Sequence, residues 1–343
     1  MSTDGRYKLI GSLSSPFSVK MRAIMRYRRL PHDWILNAGE WQERTKHVRP
    51  PIIPKLNFPE DDYDIWHVDS SPLAYALEER HTERSIIPDD PAHAFLSHLL
   101  EDFGDEWGTK MMFYYRWVDQ DKGGDTDYTS HLMLYPGVGP ASDESLRETA
   151  HGFRDWQVPL WPRAGIEPQN LPLIEEMFWR IVSAWDKVLT EQNFLFGSRP
   201  SLGDFGFYGQ LYQCFWNLAS FGIMRQHSKR LVPWLTIIDD ASGVDGEWLD
   251  PDAPLGQGVK DLLWLAGQVY LPYLNATANA IEAGEDRMHM EVLDGMVHEQ
   301  TPQGYHAKCL KIMRDKLAAM APADQERVEG LLEGTGAWDI LSP

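Results

Sequence analysis

Residues 7–28 read YKLIGSLSSPFSVKMRAIMRYR, and this stretch decides the fold of the N-terminal part of the chain. Its first five residues form a short, mostly apolar run that ends in a glycine, which is typical of a buried strand. Ser15 then precedes Pro16, and proline is favoured at the first position of a helix. The stretch therefore predicts a strand at 7–11, a turn, and a helix at 16–28.

Strand and helix signals keep alternating after this stretch. The pattern predicts a second strand at 34–36, a pair of strands at 52–56 and 63–68, and a helix at 70–83. The order is βαβ followed by ββα. The next run, SIIPDDP, contains two prolines and two aspartates and is typical of a linker. We therefore expect one small α/β domain that ends near residue 85.

Beyond the linker the hydrophobic period is helical. Loops are expected at 119–127, 136–144 and 242–258, and a hairpin at 288–300 with Asp294-Gly295 at its turn. Helices are predicted at 92–101, 106–115, 171–190, 204–221, 259–283, 308–320 and 323–333. The expected organisation is an α/β domain at 1–85, a linker at 86–91, a helical domain at 92–240 and an extension at 241–343.

The composition limits the classes of function. The chain has 343 residues, enough for two domains, and its net charge is −19, which disfavours a general nucleic-acid binder. Cys214 and Cys309 are far apart and indicate neither a disulfide framework nor a metal site. The first nine residues lack the apolar run of a signal peptide, and the apolar region 262–274 is too short to span a membrane. These features predict a cytoplasmic protein without a metal.

Ser15 lies where the first predicted strand leads into the first helix. The first-turn amides of a helix lack internal partners and carry partial positive charge, so they stabilise a thiolate. A serine hydroxyl can donate a further hydrogen bond to the same sulfur. The chain has no cysteine there, so the thiol would come from a bound molecule. The alternative is that Ser15 only caps the helix.

Two further segments offer backbone groups to a ligand. If the Ile53-Pro54 bond is cis, the N–H and C=O of Ile53 are free to pair with a bound peptide, although a trans proline is the commoner form. Asp69 and Ser70 precede a predicted helix, with Ser70 as its expected cap, where free amides suit a carboxylate and Asp69 suits an ammonium group. A small thiol peptide with an α-amino acid head group would satisfy all three segments.

The sequence resembles the cytosolic glutathione transferase family over residues 6–240. Four runs lie in the order and near the spacing of that family. They match its first strand, active-site turn and first helix (YKLIGSLSSPFSVKMRAIMRYRRLPHDW), its proline turn (IPKL), the start of its third helix (VDSSPLAYALEERH) and its helical-domain capping box (FGSRPSLGDFGFYGQL).

This resemblance implies a thioredoxin-like α/β domain followed by an all-α domain. It implies that Ser15 is catalytic and hydrogen-bonds the sulfur of glutathione, the co-substrate. Ile53 would pair with the cysteinyl backbone, and Asp69 with Ser70 would hold the γ-glutamyl group. The predicted glutathione-binding residues are Phe17, Arg49, Ile53, Pro54, Asp69 and Ser70, with Arg49 as the candidate for the glycyl carboxylate.

By the same resemblance, Tyr114, Tyr115 and Trp117 line the pocket for an apolar electrophile; the alternative is that they are core aromatics. Ser201 and Asp204 would cap a buried helix and serve folding only.

The function that the resemblance implies is a glutathione transferase, a detoxifying homodimer. A glutathione-dependent lyase, dehalogenase or isomerase and a non-catalytic glutathione-binding interaction module are the alternatives. Neither a nucleic acid nor a membrane is expected as a partner. Residues 241–343 have no counterpart in the family, and the sequence predicts no function for them.

Overall fold

The computed structural model describes residues 5–118 and 120–342 of the chain. The N-terminal domain contains a four-stranded sheet in the order β2-β1-β3-β4, with β1 parallel to β2 and antiparallel to β3, and β3 antiparallel to β4. This is a thioredoxin-like arrangement. Its elements are β1 (Tyr7–Gly11), α1 (Pro16–Tyr27), β2 (His32–Leu36), α2 (Gly39–Arg44), β3 (Lys55–Asn57), β4 (His67–Val68) and α3 (Ser70–Arg80).

The two later strands are shorter than the sequence pattern predicts. β3 begins only at Lys55, because the prolines before it have no N–H to give to the sheet; the bonds Arg49–Pro50 and Ile53–Pro54 are both cis. Residues 63–66 are a loop rather than a strand. The Asn57 side chain holds this loop, since its Nδ2 donates to the carbonyl oxygens of Asp62 and Ile65 at 3.0 and 2.9 Å.

Among the described residues, the rest of the chain consists of helices, their connecting loops and one hairpin, β5 paired with β6. Within the described residues the helices and strands of this part are α4 (Pro91–Asp102), α5 (Gly108–Arg116), α6 (Thr126–Val138), α7 (Asp143–Gln157), α8 (Leu171–Glu191), α9 (Leu202–Trp216), α10 (Leu218–His227), α11 (Leu231–Asp239), α12 (Gln257–Leu265), α13 (Leu271–Ala283), β5 (Met288–Val292), β6 (Met296–Gln300), α14 (Gly304–Ala318), α15 (Pro322–Leu331) and α16 (Ala337–Leu341). The fold is thus a thioredoxin-like domain joined to an all-α part.

Three predictions for the helical part were wrong in detail. The helix expected at 204–221 is two helices, because the backbone of Asn217 between α9 and α10 is extended. The loop expected at 136–144 begins later, because α6 accommodates Pro136 in its last turn, where only one backbone hydrogen bond is lost. The loop expected at 119–127 contains a short 3₁₀ turn at 120–122, and Asp119 lies outside the described residues.

Two π-helical segments bring the extension into contact with the helical domain. One, Phe103–Trp107, joins α4 to α5, and the other, Ala266–Tyr270, joins α12 to α13. The ring of Phe103 stacks on the ring of Tyr270 with centroids 5.4 Å apart. The hydroxyl of Tyr270 also donates to the carboxylate of Asp102 at 2.5 Å. The two π-helical segments therefore pack directly on each other.

Polar contacts fix the rest of the extension. The Nζ of Lys110 on α5 donates to Gln300 Oε1 on β6 at 2.6 Å. The imidazole of His306 on α14 is 3.1 Å from the carboxylate of Glu106. Buried apolar residues from the extension belong to the same continuous core as those of the other two parts. Residues 241–342 thus pack onto the helical domain without forming a core of their own.

A capping box fixes the start of α9. Oδ2 of Asp204 accepts hydrogen bonds from the backbone N–H and the hydroxyl of Ser201, at 2.8 and 2.6 Å, and Oδ1 accepts from the N–H of Leu195 at 2.9 Å. Both capping residues are fully buried. The structure thus places the predicted capping pair inside the helical core, where the loss of one partner leaves buried donors without an acceptor.

We expect Asp204→Ala to lower the free energy of unfolding by about 2–4 kcal/mol, because two buried backbone N–H groups lose their acceptor. Urea unfolding measures the loss. Asp125→Ala is the matched control, because Asp125 caps the more exposed start of α6 with a single bond from the Tyr128 N–H at 2.9 Å; its loss should be about 1 kcal/mol. Equal losses in the two variants would contradict the assignment of a buried capping box.

None of the described helices combines the length and the apolar character needed to cross a membrane.

Candidate functional site

Ser15 lies at the N-terminus of α1, in the turn that follows β1. Its Oγ accepts a hydrogen bond from the N–H of Ser18 at 3.3 Å, so Ser15 is the N-cap of the helix. Its own N–H donates to the carbonyl of Ser12 at 3.2 Å. No described residue accepts the hydroxyl proton of Ser15. The side chain can therefore cap the helix and donate a hydrogen bond to a ligand at the same time.

The helical domain holds this turn in place. Nη2 of Arg116 donates to the Ser14 carbonyl at 2.8 Å and to Gln213 Oε1 at 3.0 Å, and Gln213 Nε2 donates to the Leu13 carbonyl at 2.9 Å. Behind the turn, α9 approaches α1 so closely that a Cβ at Gly209 would lie 2.7 Å from a backbone oxygen of α1. The start of α1 is therefore fixed from two sides.

The register of the sheet aligns the three segments that the sequence singled out. Ile10, near the end of β1, is paired with Lys55 at the start of β3, and Lys55 is paired with Val68 at the end of β4. Neighbouring strands are about 4.8 Å apart. The turn at 12–15, the Ile53-Pro54 segment and Asp69 consequently leave the sheet at the same edge.

Ile53 precedes β3 through a cis peptide bond to Pro54. The trans form, which is commoner for bonds that precede proline, is therefore not present here. Neither the backbone N–H nor the C=O of Ile53 has a hydrogen-bond partner among the described residues. Such a pair of free groups can bind the main chain of an extended peptide in the manner of an added strand.

Asp69 has an unusual backbone conformation, with φ +78° and ψ +113°. A residue with a side chain rarely adopts this region, and such strain is found most often at functional sites. Asp69 occupies the N-cap position of α3 without a side-chain cap bond, so the expectation that Ser70 is the cap was wrong; Ser70 is the first residue of the helix and is buried. Burial raises the pKa of the Asp69 carboxyl.

Lys20 is a buried cation beside Ser70 that the sequence analysis did not single out. Its Nζ is 3.4 Å from the hydroxyls of Ser70 and Ser71. The same ammonium forms ion pairs with Glu101 on α4 and, at 2.5 Å, with Asp105 in the first π segment. The start of α3 is therefore tied through Lys20 to both α1 and α4.

The other predicted glutathione-binding residues surround this edge. Phe17 is half-buried in the first turn of α1. Arg49 is exposed, and its Nη1 donates to the carbonyls of Lys46 and Val48 at 2.6 and 2.9 Å, so its guanidinium holds the local loop. Lys55 is buried next to Pro54, and its Nζ donates to Thr45 Oγ1 at 2.6 Å. Lys55 is a second cation near the proline turn that the sequence analysis did not single out.

Tyr7 is not available as a catalytic hydroxyl. It is buried at the start of β1, and its hydroxyl is 2.7 Å from Nε2 of His81. Ser15, by contrast, lies in the turn that follows β1.

None of the three predicted pocket aromatics has a described hydrogen bond to the turn at 12–15. Tyr114 donates to Glu175 at 2.5 Å, and together with Tyr115 it lines a different cavity against α8. Trp117 is buried, with its indole N–H 3.3 Å from Gln157. The residue between them, Arg116, reaches the turn instead, since one step along a helix rotates the side chain by about 100°.

A cavity of about 370 Å³ adjoins the turn. It lies between the turn, α6 and the end of α9, and most of its lining is apolar. Ser14 and Arg116 form its wall on the side of the turn. The remaining lining residues are Leu13, Tyr128, Thr129, His131, Leu132, Met133, Tyr135, Pro136, Leu146, Tyr212, Gln213, Trp216 and Asn217.

Within 5–118 and 120–342 there is no group of three or more His, Cys, Asp or Glu side chains arranged to hold a metal ion.

Comparison with known proteins gives matches to solved structures only; no protein-family model and no curated protein matches the chain. One match is a glutathione S-transferase from Methylobacterium radiotolerans in complex with glutathione sulfonate, with 17% identity, 69% of this chain and 89% of that chain covered, and a TM-score of 0.42. Another is the beta-etherase LigF from Sphingobium sp. strain SYK-6, which is 18% identical. The match covers 70% of this chain and 95% of that chain, with a TM-score of 0.44. A third is a glutathione transferase from Burkholderia graminis with two glutathione molecules bound per subunit, which is 14% identical. The match covers 71% of this chain and 82% of that chain, with a TM-score of 0.35.

Proposed function

We propose that the protein is a glutathione transferase that activates the glutathione thiol for attack on an electrophile bound in the cavity beside the turn. One observation carries this proposal: the register of β1, β3 and β4 brings the Ser15 helix start, the free backbone of Ile53 and the strained Asp69 to one edge of the sheet. Each of the three complements a different part of a γ-glutamyl thiol peptide.

The chemistry follows from these groups. The hydroxyl of Ser15 and the first amides of α1 stabilise the thiolate and so lower the pKa of the bound thiol. The thiolate forms a carbon–sulfur bond with the electrophile, and either a leaving group departs or a proton is added to the product. Ile53 pairs with the cysteinyl backbone, and Asp69 with Ser70 binds the γ-glutamyl end. Lys55 joins Arg49 as a candidate for the glycyl carboxylate.

The proposal is tested by calorimetry with glutathione, followed by a panel of model electrophiles of different reactivity. We expect glutathione to bind and at least one electrophile to be conjugated. Conversion of an electrophile by elimination, dehalogenation or isomerisation would place the chain in the lyase, dehalogenase or isomerase class. Binding without turnover would favour a non-catalytic module, and an absence of binding would overturn the proposal. Gel filtration with light scattering decides whether the protein is the expected homodimer.

Asp69→Asn tests the γ-glutamyl end. We expect the Kd for glutathione to rise about tenfold, because the bond between the carboxylate and the ligand ammonium loses its charge, while asparagine still tolerates a positive φ. Calorimetry with glutathione and with an analogue that lacks the α-amino group measures the effect. The difference between wild type and variant should disappear with the analogue. Asp64→Asn, in the exposed loop before β4, is the control.

A further inference from the structure

Arg116 is a buried cation whose described partners are neutral. The residue is 5% exposed, and the described hydrogen bonds of its side chain go to the Ser14 carbonyl and to the amide oxygen of Gln213. No described carboxylate lies within 4 Å of its guanidinium. Buried charges in proteins are normally paired, because an unpaired charge in a low-dielectric interior is costly. Burial lowers the pKa of Arg116 to about 10, so the guanidinium still carries its charge at neutral pH.

The cavity that Arg116 borders contrasts with the rest of the protein. The chain has 51 acidic side chains and a net charge of −19. None of the described residues that line this cavity is an aspartate or a glutamate. Arg116 is its one permanently charged lining residue among those described, and most of the other lining residues are aromatic or aliphatic side chains, mainly from α6 and α9. The arrangement is an apolar chamber with a single positive charge at the end next to the turn.

The other two buried arginines among the described residues are arranged differently, and so is Lys20. Lys20 has two carboxylates, and Arg22 and Arg28 are each paired with one, Asp239 and Glu78. Lys55 and Lys110 also donate only to neutral oxygens, but burial lowers the pKa of both lysines, whereas a guanidinium keeps its charge. Arg116 is therefore the one buried arginine, among the described residues, without an anionic partner. A planar guanidinium suits a carboxylate or a similar oxyanion, because it can donate several parallel hydrogen bonds.

We propose that the cavity between α6 and α9 binds an apolar organic anion whose carboxylate or similar acidic group pairs with Arg116. This inference rests on the proposed function in so far as the ligand would be the second substrate. The acidic group would then lie near the turn at 12–15, and the hydrocarbon part would fill the chamber. The substrate class is thus narrowed from any apolar electrophile to one that carries a negative charge.

The experiment compares 2-naphthoate with its neutral isostere, 2-naphthamide, by calorimetry in the absence of glutathione. For the wild-type protein we expect the carboxylate to bind about ten to a hundred times more tightly than the amide, because a charge-assisted bond replaces a neutral one. Arg116→Gln should remove this preference while the affinity for the amide stays the same. That unchanged affinity also demonstrates that the cavity has kept its shape. Arg116→Lys should keep part of the preference, since the charge remains.

Lys122→Gln is the matched control, because Lys122 is a cation beside the other cavity, paired with Glu175 at 3.1 Å. It should leave the ratio of the two dissociation constants unchanged. Equal binding of acid and amide by the wild type would overturn the proposal, and so would a preference that survives in Arg116→Gln. Because glutathione is absent from these titrations, a failure of the proposed transferase activity would not affect their outcome.

Discussion

Ser15→Ala should slow conjugation of an electrophile by about ten- to a hundredfold at pH 6.5 and leave the Kd for glutathione nearly unchanged. A hydrogen bond to a charged acceptor contributes about 1.5–3 kcal/mol, which corresponds to about one to two pKa units of the bound thiol. The thiolate is the charged form, so loss of the donor raises the thiol pKa. The pH–rate profile should shift to higher pH, and the rates of the two proteins should converge once the thiol is ionised in both.

The thiol pKa is measured by ultraviolet titration of bound glutathione, and the rate by stopped-flow conjugation. Ser15→Thr keeps the hydroxyl and should retain most of the activity. Ser142→Ala is the matched structural control, because Ser142 caps α7 with the same geometry, accepting from the Ser145 N–H at 3.3 Å. Both alanine variants should lose about 1 kcal/mol of stability. A thiol pKa that is the same in Ser15→Ala and wild type would contradict the proposal that Ser15 lowers the pKa of the bound thiol.

Lys20→Met should produce the largest loss of stability. Lys20 and Glu101 are fully buried, and Asp105 is nearly so. Burial alone would lower the pKa of Lys20, but Asp105 and Glu101 hold it above its ordinary value. Removal of the ammonium leaves two buried carboxylates facing each other without compensation. We expect the free energy of unfolding to fall by about 3–5 kcal/mol.

The expected loss of stability arises from uncompensated charge, so removal of the two carboxylate charges as well should restore the stability. Lys20→Met combined with Glu101→Gln and Asp105→Asn removes all three charges and should recover most of the stability in urea unfolding. If Lys20→Met alone does not fold, the triple variant still tests the argument. Lys187→Met is the control, because its ion pair with Asp261 lies on the surface and contributes about 1 kcal/mol or less. Similar losses at the two lysines would contradict the argument.

The elements that carry strong local signals were predicted well. The run 7–11 and the serine–proline start of α1 form the strand and helix that their apolar spacing indicates. The turn at Asp294-Gly295 forms the hairpin of β5 and β6. By contrast, β4 has only two residues, because the carbonyls before it are bound by the Asn57 side chain. This contact spans the loop, and the hydrophobic periodicity of the sequence does not predict it.

The sequence indicated the backbone segments of the candidate site, but it did not single out the buried cations Lys20 and Arg116. Ser15, Ile53 and Asp69 stand next to helix or strand ends, and prolines and caps mark such ends in a sequence. Lys20 and Arg116 act across domains, so their partners are not apparent from local order. A signal did exist for both. Lys20 shares a helical face with buried apolar residues four and seven positions on, and Arg116 interrupts the aromatic run MMFYYRW.

The contacts between the extension and the helical domain limit how far the chain can be shortened for expression. Residue 240 is the expected end of the helical domain, but buried apolar residues on both sides of it belong to one continuous core. A fragment that stops there would present to water the ring of Phe103, the carboxylate of Asp102 and the ammonium of Lys110, which the extension now covers or binds. The last hundred residues are thus an outer wall of the helical domain, and trimming them would open its interior.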